Sequence, residues 1–129
     1  MINILLIDDA QQVPGLQQAM QLCSVQHVQG FLCTTSIEAE NFCKQQAVHL
    51  VIINLETPGA FDFLRFARKN GMGIVALIHD TWEAGLAVKL LGVDFLKLPI
   101  ETADLCMVIE THFHSQRQSS GRSDQGMLN

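Results

Sequence analysis

The sequence predicts an α/β domain: five strands in one parallel sheet, covered by helices on both faces. Three observations predict it. Short apolar runs alternate strictly with amphipathic segments. The runs Ile2–Ile7, Leu50–Ile53 and Ile74–Ile78 are apolar at nearly every position rather than at every second one, as strands buried on both faces must be. Each connection is long enough to hold a helix, and such a crossover returns the chain parallel to its start.

Taken in order, Ile2–Ile7 is the first strand. Pro14 suits a first helical turn, where its missing N–H costs nothing, and Leu16, Ala19, Met20 and Cys23 follow at helical spacing. His27–Cys33 is a weaker second strand. Thr35 and Glu38 have capping-box spacing and open a helix to about Gln46, with Ala39, Phe42 and Cys43 facing inward. Leu50–Ile53 is the third strand. A helix over Phe61–Asn70 stops at Gly71. After the fourth strand, Ile74–Ile78, Asp80 and Glu83 open a helix through Leu86, Ala87, Leu90 and Leu91 that stops at Gly92. Phe95–Leu98 is a short fifth strand. Thr102 caps a final helix with Leu105, Val108, Ile109, His112 and Phe113 on one face.

Composition narrows the function classes. The chain has 129 residues, 48% of them apolar and only 16% charged, which suits one domain with a real core and excludes a disordered chain. The net charge is −5; residues 1–114 hold 12 of the 13 acidic and 6 of the 8 basic side chains, a net −6. Phosphate neutralisation needs clustered Lys and Arg, so this segment is not expected to bind nucleic acid. No apolar stretch is long enough to span a membrane, and Met1-Ile2-Asn3 lacks the basic start of a signal peptide, so a cytoplasmic location is expected. Cys23, Cys33, Cys43 and Cys106 show neither a C-x-x-C pair nor Cys/His ligand spacing and read as small core residues. From Ser115 the chain turns polar and loses its apolar period. The expected organisation is a domain over 1–114 and a linker or tail over 115–129.

Four segments carry a resemblance. Ile4-Leu5-Leu6-Ile7 ends in the carboxylate pair Asp8-Asp9. Leu50-Val51-Ile52-Ile53-Asn54 runs on to Pro58-Gly59. Ile74 to Ile78 is followed by His79. Gly92 to Ile100 contains Lys97-Leu98-Pro99. In this order and spacing they resemble the receiver domain of response regulators, which implies a flavodoxin-like (βα)5 three-layer sandwich. In that family an acidic pair holds a divalent cation, a central Asp attacks the phosphoryl group, a Ser or Thr ends the fourth strand, and a Lys precedes a Pro. Asp8 and Asp9 match the pair. Asn54 stands at the acceptor, and an amide cannot act as that nucleophile. Ile78 stands at the Ser/Thr position and Leu98 where the Lys is expected. Lys97 is one residue early, on the other face of a strand unless the backbone slips. Phe95 matches the aromatic of the fifth strand.

What the resemblance implies is an atypical receiver: a phosphorylation-independent signalling module of a bacterial regulator, acting by protein contact or dimerisation, with no enzymatic activity. No cofactor is expected beyond weak magnesium binding by Asp8, Asp9 and the Asn54 carbonyl, as hard oxygen ligands. The partner, an effector domain or a second copy, would use the face made by the fourth helix, fifth strand and fifth helix, where Trp82 is the candidate anchor. Two alternatives belong to other classes. One is phosphorylation at a non-standard residue (Asp8, Asp9 or His79), with Lys97 swung inward. The other is a flavodoxin-like small-molecule binder, against which the loop from Asp8 to Gly15 lacks a phosphate cradle. His79 otherwise reads as a bulky residue filling the mouth of the site.

Overall fold

The structure, a computed structural model, describes residues 2–9, 15–23, 25–79, 85–86, 89 and 92–113. The elements are β1 (Ile2–Ile7), α1 (Leu16–Leu22), β2 (Val28–Cys33), α2 (Ser36–Gln45), β3 (Leu50–Asn54), α3 (Ala60–Lys69), β4 (Gly73–Ile78) and β5 (Asp94–Lys97). Residues 85–86 and 89 are also helical, and a last helix covers 102–113. Pro14, most of the helix expected over 80–91 (Trp82 with it) and the tail from residue 114 lie outside the described residues.

All five strands pair in parallel in the order β2-β1-β3-β4-β5. The chain winds outward from β1 to β2, then returns past β1 to lay down β3, β4 and β5. The direction of winding reverses between β1 and β3, so the crevice beyond their carboxyl ends is the topological switch point.

Side-chain alternation sorts the core into two layers. Leu5, Ile7, Val51, Ile53, Ala76 and Ile78 pack with Ala39 of α2 and with Phe63, Leu64 and Ala67 of α3. Their neighbours Ile4, Leu6, Leu50, Ile52, Val75 and Leu77 pack on the other face with Leu16, Ala19 and Met20 of α1 and with Leu105, Ile109 and Phe113 of the last helix. This two-sided burial is why the central strands carry no polar alternation. Strands β2 and β5 lie at the edges and are largely solvent-accessible, which accounts for the weaker strand signal of residues 27–33.

Local chemistry explains the helix ends. The Thr35 hydroxyl accepts from the Glu38 amide at 3.1 Å, as the capping box requires, but the Glu38 carboxylate accepts from the Thr34 amide, at 3.2 Å, rather than from that of Thr35. The final helix departs from expectation. Thr102 lies inside it, and the Glu101 amide donates to the Asp104 carboxylate at 2.8 Å. The acid three residues on therefore supplies half of a capping box without a hydroxyl partner. Gly73 opens β4 directly beneath the ring of His112: a Cβ at Gly73 would run into the His112 Cε1.

Cys33 is buried, as a core reading requires, whereas Cys23, Cys43 and Cys106 are half-buried. Burial, with nearby Glu38, pushes the Cys33 thiol up to about 11, and burial, with Glu40, does the same for Cys43. These thiols stay protonated and unreactive at neutral pH.

His112 packs between the last helix and the start of β4. Burial lowers its pKa below the ordinary 6.5, and Asp94 opposes that only in part. The unfolded chain therefore takes up this proton at a higher pH than the folded one. The contribution of His112 is intact above about pH 6.5 and is lost as pH falls through the lower folded value. The wild-type chain should lose more stability than His112→Gln between about pH 7.5 and about pH 5.5, measured by urea unfolding; parallel profiles would remove His112 as the source.

Candidate functional site

The β1–β3 register runs from Ile4↔Leu50 to Ile7↔Ile53. The next residue on each strand is Asp8 and Asn54, so parallel pairing delivers their side chains side by side at the switch point. Both are buried to 1% exposure. Burial at this level demands hydrogen-bond partners. The Asn54 Nδ2 donates to the Asp8 Oδ1 at 3.1 Å. The Asn54 Oδ1 accepts from the Glu56 amide at 3.0 Å, and its carbonyl accepts from the Thr57 amide at 3.0 Å. The amide's orientation follows from its partners: a carboxylate only accepts and a backbone N–H only donates.

Thr57, only 2% exposed, completes the floor. Its Oγ1 accepts from the Asp9 amide at 3.3 Å and ties the loop after β1 to the loop after β3. The Asp9 side chain points to solvent. Beyond Thr57, the turn through Pro58 reaches Gly59, whose φ of +78° suits glycine, and α3 starts at Ala60. The Ser36 hydroxyl donates to the Pro58 carbonyl at 2.7 Å and fastens this turn to α2.

At the rim, the His79 Nε2 lies 3.0 Å from the Glu56 Oε2. His79 follows β4 and Glu56 follows β3, so the pair bridges two neighbouring loops above Asn54. The two side chains are 39% and 47% exposed, where such pairs contribute little to stability. His79 is thus more than bulk at the mouth: it is held by a specific partner that sequence reasoning passed over. Thr57 was passed over too. Thr-Pro-Gly reads as turn chemistry, and nothing local marks its hydroxyl as buried.

The remaining candidates fall as follows. Ile78 is buried in the layer beneath α2 and α3. Leu98 is buried in the opposite layer, its amide donating to the Ile78 carbonyl at 2.6 Å, and the Leu98–Pro99 peptide is cis. The β4–β5 ladder runs from Val75↔Asp94 to Ile78↔Lys97 without a slip, and Lys97 is exposed. No bulge turns Lys97 inward, so the compensating role considered for it has no support in the backbone. Phe95 is 42% exposed on β5.

The expected magnesium set does not fit. Asn54 presents its N–H, not its oxygen, to Asp8, and its Oδ1 already holds the Glu56 amide. Asp9 turns outward. Among the described residues no group of three His, Cys, Asp or Glu side chains is placed to hold a metal ion.

No protein-family model matches the sequence, and no curated protein matches it. Solved structures do. A response regulator receiver domain protein from Clostridium thermocellum aligns at TM-score 0.74 and 20% identity, over 92% of this chain and 98% of that one. A CheY-like receiver domain protein from Methanospirillum hungatei aligns at TM-score 0.73 and 18% identity, over 92% and 98%. An uncharacterised protein from Neptuniibacter caesariensis aligns at TM-score 0.71 and 26% identity, over 85% of each.

Thr57→Val keeps the shape of the side chain but removes the acceptor of the Asp9 amide. It should cost about 1 kcal/mol in urea unfolding; an unchanged midpoint would show that this bond does not tie the loops. With five parallel strands in the order β2-β1-β3-β4-β5 and helices on both faces, the chain has the CheY-like, flavodoxin-like fold of receiver domains.

Proposed function

We propose that this chain is a receiver-type signalling module that works without phosphorylation, through contact with an effector domain or a second copy of itself. The observation that carries this is the state of Asn54. The residue at the acceptor position is a buried amide with both of its polar ends engaged, one by Asp8 and one by Glu56. It offers no carboxylate oxygen to a phosphoryl donor. The surroundings agree: Leu98 and Ile78 are apolar and buried, so neither neutralises or hydrogen-bonds a phosphoryl oxygen. With no phosphoryl group to bias two conformations, the output must be set by a partner that binds one of them better.

The contact surface in this reading is the face formed by β5 and the last helix. Phe95 and Met107 are 42% and 65% exposed there, and they border a groove of about 720 Å³ lined also by Leu96, Val108 and Thr111. Exposed aromatic and thioether groups around a groove suit protein contact. Among the described residues no helix is long and apolar enough to cross a membrane.

Two measurements test the proposal. Intact mass after incubation with a small phosphodonor and magnesium, beside a conventional receiver as positive control, should show no phosphoryl adduct on this chain; an adduct would sink the reading, and mapping it would identify the acceptor. In equilibrium sedimentation, Phe95→Ser with Met107→Ser should weaken self-association by about tenfold or more; an unchanged constant would place the contact elsewhere.

A further inference from the structure

Asn54 holds a position that places its side chain 3.1 Å from a buried carboxylate oxygen. Any anion there would face Asp8 at hydrogen-bond distance with almost no water to screen the two charges. A second carboxylate at this spacing has two outcomes. One group takes a proton against its usual pKa, or a cation enters to hold the pair apart. The amide does neither. It turns the positive end of its N–H dipole toward Asp8, and it is locked in that direction because its oxygen is taken by the Glu56 amide.

We infer that Asn54 acts as a built-in substitute for a bound divalent cation: its fixed N–H donor compensates Asp8, and the folded state of this chain is uncoupled from magnesium. The magnesium ligand set does not fit this pocket because the Asn54 donor holds the Asp8 Oδ1 and the Asn54 Oδ1 is taken by the Glu56 amide. The loop from Glu56 to Gly59 is organised by the same side chain, since the Glu56 amide is held by the Asn54 Oδ1 and α3 begins four residues after the turn is set. One amide therefore does two tasks, compensating a buried charge and shaping the rim, with no exchangeable ion. The inference stands on these two hydrogen bonds and does not require that the chain escape phosphorylation.

The test is thermal unfolding of the 129-residue chain with and without magnesium, at matched ionic strength, for the wild type, Asn54→Asp and the swapped pair Asp8→Asn with Asn54→Asp. The wild-type midpoint should move by less than about 1 °C in about 10 mM magnesium. Asn54→Asp should lose about 5 °C or more near neutral pH without metal and regain most of it with magnesium. The swapped pair should regain most of the loss without metal, because an amide again faces a single carboxylate. A wild-type midpoint that climbs with magnesium overturns the inference, and so does an Asn54→Asp chain as stable as wild type without metal. Failure of the swap to recover stability also overturns it, since the loss would then not come from paired carboxylates. If Asn54→Asp does not fold in either condition, the wild-type titration and the swap still decide. A phosphoryl adduct on the wild type would remove the proposed function without touching this inference; a magnesium-stabilised wild type would do the reverse.

Discussion

The pairing of β1 with β3 is the constraint on which the rest of the structure depends. Four consecutive apolar pairs, Ile4 with Leu50 through Ile7 with Ile53, are each buried and each contribute to one of the two core layers. A shift of one residue would exchange the two layers and present the α1 face with side chains fitted to α2 and α3. The register is therefore held by packing along the whole strand. Its consequence at the strand ends is chemical, because the same register sets Asp8 beside Asn54. Buried polar groups are costly unless they find partners; here the Asn54 amide donates to Asp8 and accepts from the Glu56 amide.

Around that pair the loops are tied by backbone-directed bonds more than by charge. Thr57 holds the Asp9 amide, Asn54 holds the Glu56 amide, and Ser36 holds the Pro58 carbonyl. Every buried side-chain nitrogen and oxygen among the described residues has a partner. The His79–Glu56 pair sits above this floor in partial solvent and adds little to stability. Its value is positional: it joins the loops after β3 and β4.

A pocket of carboxylates responds to whatever cation or phosphoryl group is present, because its charges need an external counterpart. In the Asp8–Asn54 pair an amide N–H faces the carboxylate. On the face formed by β5 and the last helix, Phe95 and Met107 are exposed beside a groove. The fold matches receiver domains at about one-fifth identity, which speaks to architecture.

Much of this was legible in the linear chain. Continuous apolar runs at Ile2–Ile7, Leu50–Ile53 and Ile74–Ile78 specify strands buried on both faces, and their alternation with helical segments, together with two weaker strands, specifies a parallel three-layer sheet, because few right-handed arrangements bury every run. The positions of Asp8 and Asn54 at strand ends were readable for the same reason. The strand boundaries, to within one residue, and the Thr35 cap were local matters and were readable too. What only the tertiary structure decided depends on contacts between distant residues. The direction of the Asn54 amide is set by Asp8, 46 residues away, and by the Glu56 amide. The burial of the Thr57 hydroxyl depends on the approach of the Asp9 amide, 48 residues away. The pairing of His79 with Glu56 and the shielding of His112 by the start of β4 follow from which strands lie adjacent. Periodicity records which face of an element is buried. It does not record which polar atoms meet across the sheet, and at this site those meetings decide the chemistry.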